Sequence, residues 1–575
     1  TTPGTSVTHL GYMTINAGVV TTFDAVTWVH YILTVNGTLS SSGGDSQRYF
    51  VVLGSLATTD PVVLGGAGNL SGSGFFVYAY RGSAASFNVV GTTYQHLNIE
   101  GGRTDGATSK NDVANFAGNV STTACGVYNQ CAFLVRIEDS GVGGSLTVNT
   151  NNYTLTVGGS LWIGDIGATG TLNLGASTVS ANGLASVGSG TLNMGTATLT
   201  VNASSALTPV ALYQSSDTGG TSTLNCQNAN VTVNGDFRQY NSLDVITLGS
   251  CAMTVTGNWN SLLGTVTPAG ASTVTMSGTT KTINMLSTSN DFANLTITGT
   301  VTMSVAVDVA SALSLTGTLN TNATSSFALS AGTVTIGAGG VLTANASTIT
   351  VNGSGTVWNS NNATATFTPG TSTVNFTSTG TVTVGSLAAN RVFYNLGVAT
   401  AGTTITISGG SALVIYSNVV TLGTGSVSGG TLYNSGSTSG NPFVNAGATL
   451  TTILTFFRTA AMNMPATTTT QACNFSSTST GYTVTMTGNL SCGQLAVTDT
   501  NAAQTVTLNT SASNYSITAN GTTALTLGSA GAGHGVIIAN GSLVSLTGNV
   551  NIATVSAYIN FGSSTWTVTG TWTNS

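Results

Sequence analysis

The sequence predicts an all-β protein built as a parallel β-solenoid, and three observations carry that reading. Short runs alternate apolar and polar residues with period two, each closed by Gly or Asn. Related runs recur about one coil apart, and a longer pattern returns after about a hundred residues. Only 4% of the 575 residues are charged, although 41% are hydrophobic.

The alternation comes first. "TLNLGASTVSANG" from Thr171, "TLNMGTATLTVNA" from Thr191 and "TLNCQNANVTVNG" from Thr223 share one design: a strand, a small-residue turn, a second strand and a second turn. "MTVTGNW" from Met253, "ITVNGSG" from Ile349, "YTVTMTGNL" from Tyr482 and "WTVTGTW" from Trp566 repeat parts of it. No stretch carries a helical period. A sandwich series would give about seven strands per ~100 residues with longer, more varied loops. Stacked coils put Val, Leu and Ile inside and let Thr, Ser and Asn form outward ladders. Equivalent side chains then lie ~4.8 Å apart, so stacked like charges would repel. The sequence obeys that rule: no residue between Val309 and Asn390 is charged, and none follows Asp499.

The composition also excludes functions. Phosphate recognition needs a basic surface, and this chain has a net charge of −6 and two lysines, Lys110 and Lys281. The longest apolar candidate for a membrane helix, "AVTWVHYILTV" from Ala25, is too short and contains His30. Scattered aromatics without period argue against a membrane β-barrel. The opening "TTPGTSVTHL" carries no signal peptide, so a processed amino terminus is expected.

Six cysteines form three local pairs: Cys125 with Cys131, Cys226 with Cys251, and Cys473 with Cys492. The grouping predicts disulfides and an oxidising, extracellular setting; the alternative is buried, reduced thiols. The last two pairs are spaced by about one coil, so their bridges would staple neighbours. No Cys-x-x-Cys spacing supports a metal.

The longer repeat links "WNSLLGTVTPAGASTV" at Trp259 with "WNSNNATATFTPGTSTV" at Trp358. Trp259, Pro268, Ser272, Phe292, Asn294 and Leu295 match Trp358, Pro369, Ser372, Phe393, Asn395 and Leu396, at offsets between 99 and 101. Each block is expected to span four to five coils, with Trp and Phe filling wide places in the core. The closing "TGTWTNS" repeats "TGNWNS" at Thr256, as though a further block opened there. These strings resemble the repeats of exported prokaryotic surface proteins with parallel β-helix passengers and adhesin shafts. The resemblance spans roughly Ser145 to Ser575 and is one of repeat style. It implies a right-handed solenoid, export and a surface role, and carries over no catalytic residue.

Residues 1–145 differ and are expected to form an N-terminal β cap or domain, with the solenoid proper over 146–575. Seven of the 16 tyrosines lie there, and residues 1–150 hold 13 of the 24 charged residues. "EGGRTDGATSKND" offers Glu100, Asp105 and Asp112 as oxygen ligands for calcium, the one candidate cofactor. The competing reading is a solvated loop with weak surface ion pairs.

The expected function is an extracellular structural protein. Copies would self-assemble into a filament, tube or surface layer through end contacts, with Thr1, Thr2 and Pro3 added as a strand at one end and Trp572 at the other. A neutral surface offers little repulsion between copies. The alternative is a non-assembling adhesin or phage-type fibre that binds a receptor or glycan. A carbohydrate-active β-helix enzyme comes third: glycoside hydrolysis needs two converging carboxylates, and the candidates Asp217 and Asp236 are isolated in sequence.

Overall fold

The computed structural model describes residues 8–23, 26–41, 49–54, 60–80, 86–101, 111–123, 133–137, 145–164, 170–182, 185–203, 210–214, 220–286, 291–385, 391–408, 414–477, 480–499, 504–529 and 534–574. Every regular element among them is a β-strand. The chain divides into two compact units, Thr1–Val305 and Ala306–Ser575. Each is a parallel β-solenoid, as the alternation predicts.

In the first unit, three parallel ladders enclose the core. One interior column runs Thr27, Phe50, Phe76, Leu97, Phe133, Leu161, Ala185, Leu212, Phe237, Trp259, Ile283, Met303, one residue per coil. All twelve are buried. A second column runs Phe87, Ala114, Val148, Leu172, Leu192, Leu224, Ile246. A third runs Val120, Leu155, Val179, Leu199, Val231, Met253, Val274, Leu295. Parallel strands in consecutive coils repeat the same face inward, so alternation in sequence becomes columns in space. The pairing of successive coils already begins at Thr8–Leu10, against Thr27–Val29.

Coil length varies while these columns stay aligned, and bulges shift the register locally at Thr38/Ser40, Tyr94/His96 and Val210/Leu212. The outward column Asn115, Asn149, Asn173, Asn193, Asn225 is spaced by 34, 24, 20 and 32 residues. The surplus goes into turns. From the Asn149 coil onward, one corner of each of six successive coils takes a left-handed conformation, at Asn151, Gly175, Gly195, Gln227, Gly249 and Gly270. At Gly195 the requirement is twofold: φ is +63°, and a Cβ would stand 2.4 Å from the Gly175 carbonyl oxygen. That carbonyl accepts the Thr196 N–H at 2.8 Å, which locks one corner onto the next.

The second unit repeats the plan. Thr318–Asn320, Val341–Thr343 and Thr366–Thr368 stack in one ladder. Its later coils form three ladders, represented by Ala472–Ser477 with Gln494–Asp499, Tyr482–Met486 with Thr505–Asn509, and Leu490–Cys492 with Ile517–Ala519.

Candidate functional site

One outer face of the first unit, along the strands from Asn115 to Asn225, carries a ladder of neutral hydrogen-bonding groups. Asn149 donates Nδ2–H to Asn115 Oδ1 (3.1 Å), Asn173 to Asn149 (2.8 Å), Asn193 to Asn173 (2.8 Å) and Asn225 to Asn193 (2.7 Å). Beside it run Thr147, Thr171, Thr191 and Thr223, in register two residues earlier. A shorter ladder joins Asn234 to Asn202 and Asn202 to Asn182. These are the outward ladders expected from the Thr- and Asn-rich strands. Each neutral bond contributes about 0.5–1.5 kcal/mol net.

The carboxylates are spent on the backbone and on amides. Asp236 accepts the Asn258 N–H at 2.7 Å and its side-chain amide at 3.1–3.2 Å, tying one coil to the next. Asp244 is fully buried and accepts the Tyr240 and Asn241 N–H groups at 3.0 and 2.8 Å, closing its turn. Asp217, the other acid considered for hydrolysis, lies outside the described residues.

Of the calcium candidates, Glu100 and Asp112 are described and Asp105 is not. Glu100 is buried, lies one residue before the end of the strand Thr93–Gly101 and accepts a hydrogen bond from Asn98 Nδ2. Asp112 is buried at the start of Asn111–Phe116, opposite Leu146, and its Oδ2 lies 3.1 Å from where a Cβ on Gly101 would sit. Both therefore occupy buried strand ends rather than a solvated loop. Among the described residues no three His, Cys, Asp or Glu side chains gather as a metal site.

Two of the three cysteine pairs are bridged as expected, Cys226–Cys251 and Cys473–Cys492, with Cα atoms 5.7 and 5.9 Å apart. Cys125 and Cys131 lie outside the described residues. The bridges imply an oxidising environment. No helix among the described residues is long and apolar enough to cross a membrane.

Thr1, Thr2 and Pro3 also lie outside the described residues. Trp572 is described and 43% exposed, on a strand that pairs Val550 with Trp572. Its ring and that of Trp566 lie 6.3 and 5.3 Å from Phe561, and Tyr558 and Phe561 are exposed as well.

The sequence reading missed a buried cation. Arg458 has no exposed surface; it donates to the carbonyls of Asn418 and Thr438 and to Asn434 Oδ1, stitching neighbouring coils. Burial lowers its pKa from the usual arginine range. Tyr482 packs in the same region, its hydroxyl donating to the Phe456 carbonyl at 2.8 Å, and burial pushes its pKa far upward. In the first unit, desolvation likewise raises Tyr78 and Tyr94, whose hydroxyls meet at 3.1 Å. The only advance signal for Arg458 was its isolation: no other charged residue lies between Arg391 and Asp499.

No protein-family model and no curated protein matches the chain.

Proposed function

We propose that this is an extracellular structural protein whose copies assemble through end contacts into a filament, tube or surface layer. The observation that carries the reading is the neutrality of the second unit. Its 270 residues include four charged ones, Asp308, Arg391, Arg458 and Asp499. Arg458 and Asp499 are buried, which leaves Asp308 and Arg391, each partly buried, as the charges near its surface. A surface of Thr, Ser and Asn ladders has almost no charge to keep copies apart, and it suits close lateral or axial packing. The aromatic cluster of Phe561, Trp566 and Trp572 is the contact assigned to a neighbouring copy, and Thr1, Thr2 and Pro3 are assigned to the other contact.

Negative-stain electron microscopy of protein isolated from its native source tests this. Polymers with a regular axial repeat are expected, shortened by Trp572→Asp and by deletion of residues 1–7, which leaves the paired strand Thr8–Leu10 in place. Isolated particles at every concentration would overturn the proposal and favour the receptor- or glycan-binding fibre.

A further inference from the structure

The first two described coils carry a pair of facing imidazoles. His9 lies on Thr8–Leu10, and His30 follows Thr27–Val29 in the next coil. His9 is in register with Trp28, so His30 is its diagonal neighbour on the same outer face. Val29 between them is fully buried, which directs Trp28 and His30 outward. The His30 N–H donates to the Leu10 carbonyl at 2.8 Å, fixing the backbone spacing beneath the rings. His9 Nδ1 and His30 Nε2 stand 3.0 Å apart, and the His9 ring lies 5.9 Å from Trp28.

We infer that His9 and His30 form a two-imidazole site for a divalent transition metal, with copper(II) or nickel(II) preferred, that clamps these two coils together. Two metal–nitrogen bonds of about 2.0–2.1 Å place their nitrogens about 2.9 Å apart at a right angle, and about 3.4 Å apart at the tetrahedral angle. The observed 3.0 Å fits adjacent positions of a square or octahedral ion. In the metal-free pair, one nitrogen carries a proton and donates it to the other. On metal binding, that ring's proton moves to its far nitrogen, one N–H···N bond is lost and two nitrogen–metal bonds form. Water fills the remaining positions, since the site is open to solvent. The inference is independent of the assembly reading, because it concerns two adjacent coils of one chain.

The test is titration of the chelator-stripped full chain with copper(II), followed by calorimetry and electron paramagnetic resonance. One equivalent bound with hyperfine coupling to two nitrogens is expected, with zinc(II) weaker and calcium(II) unable to compete. Copper(II) should also quench Trp28 fluorescence. His9→Ala and His30→Ala should each weaken binding at least tenfold, while His534→Ala in the second unit leaves it unchanged. The clamp should raise the melting temperature of the wild type in a copper-dependent way, and of neither variant. A spectrum without imidazole nitrogen coupling would overturn the inference whatever the variants do. So would undiminished binding in folded His9→Ala and His30→Ala.

Discussion

The blocks opening at Trp259 and Trp358 make the same packing from nearly the same words, and differ in one hydrogen bond. Both indoles are fully buried. Trp259 meets Phe292 at 5.3 Å and 67°; Trp358 meets Phe393 at 5.1 Å and 56°. In each, the "STV" strand pairs with the "NL" strand one coil later, Val274 with Leu295 and Val374 with Leu396. Yet Trp358 Nε1–H donates to Ser360 Oγ at 3.2 Å, while Trp259 Nε1–H has no partner among the described residues. Both tryptophans are followed by Asn and Ser. The cause lies in the preceding coil. Gln239 stands opposite Ser261, whose hydroxyl donates a hydrogen bond to Gln239 Oε1 and is thereby held towards the preceding coil. Before Trp358, the preceding strand ends in Ile336, which offers no acceptor. A repeat's hydrogen bonding is therefore set by its neighbour's sequence as well as by its own.

The largest expected effects probe what the blocks share. Trp259→Ala and Trp358→Ala should each cost about 3–5 kcal/mol through the cavity left in the core, measured by denaturant unfolding. A much smaller loss at either site would mean that the two Trp–Phe pairs are not equivalent. Next come the bridges. Removing Cys226–Cys251 or Cys473–Cys492 by paired Ala substitution should cost about 3 kcal/mol each, because the closed loops span a similar 25 and 19 residues. Unequal losses under the same denaturant would break that symmetry.

Smaller effects isolate the difference. Ser360→Ala strands a buried indole N–H and should cost about 1–3 kcal/mol. By the same logic, Trp358→Phe should cost about 1 kcal/mol more than Trp259→Phe, since only Trp358 gives up a hydrogen bond. Equal costs would mean that the Trp358–Ser360 hydrogen bond contributes nothing net. The smallest net change is expected for Gln239→Leu, because Ser261 becomes free to accept from Trp259 while the Gln239 contact to Gln214 is lost. Slower exchange of the Trp259 indole proton with solvent is the readout; unchanged exchange would mean that Gln239 does not control Ser261.

Much of this architecture was legible because a solenoid writes each coil's face pattern into the chain. Val231, Met253 and Val274 announce their column by alternation, and the Cys226–Cys251 spacing announces its bridge. The Trp–Phe pairing was legible from the offsets alone. Those offsets also show where register is protected. Trp259–Ser261 and Trp358–Ser360 differ by 99, while Thr265–Thr267 and Thr366–Thr368 differ by 101, so the added residues sit in a turn. The burial of Arg458 was not legible, because its acceptors, the carbonyls of Asn418 and Thr438 and the Asn434 amide oxygen, lie on other segments that sequence cannot bring together. Nor was the His9–His30 pair: their spacing of 21 is close to one coil, but paired positions in successive coils of the first unit lie from 18 to 36 residues apart, so spacing alone names no neighbour. The amino-terminal coils add another such case. Val51, Val77 and Ala79 cluster on the outer side with Trp28 packed against them, so both faces of those strands are buried, where the later asparagine-bearing strands keep one face partly open.

The asparagine ladder has a sense of direction. Every amide from Asn149 to Asn225 passes its proton towards the earlier coil, so the column is a wire of aligned dipoles rather than a set of independent bonds. A coil that has already formed presents the acceptor its successor needs, at the right height and angle. Growth by templating, one turn upon the last, then becomes the natural folding route, with the first turns as the slow seed. Under tension, the same logic predicts failure by peeling from an end, turn by turn, rather than by rupture through the middle.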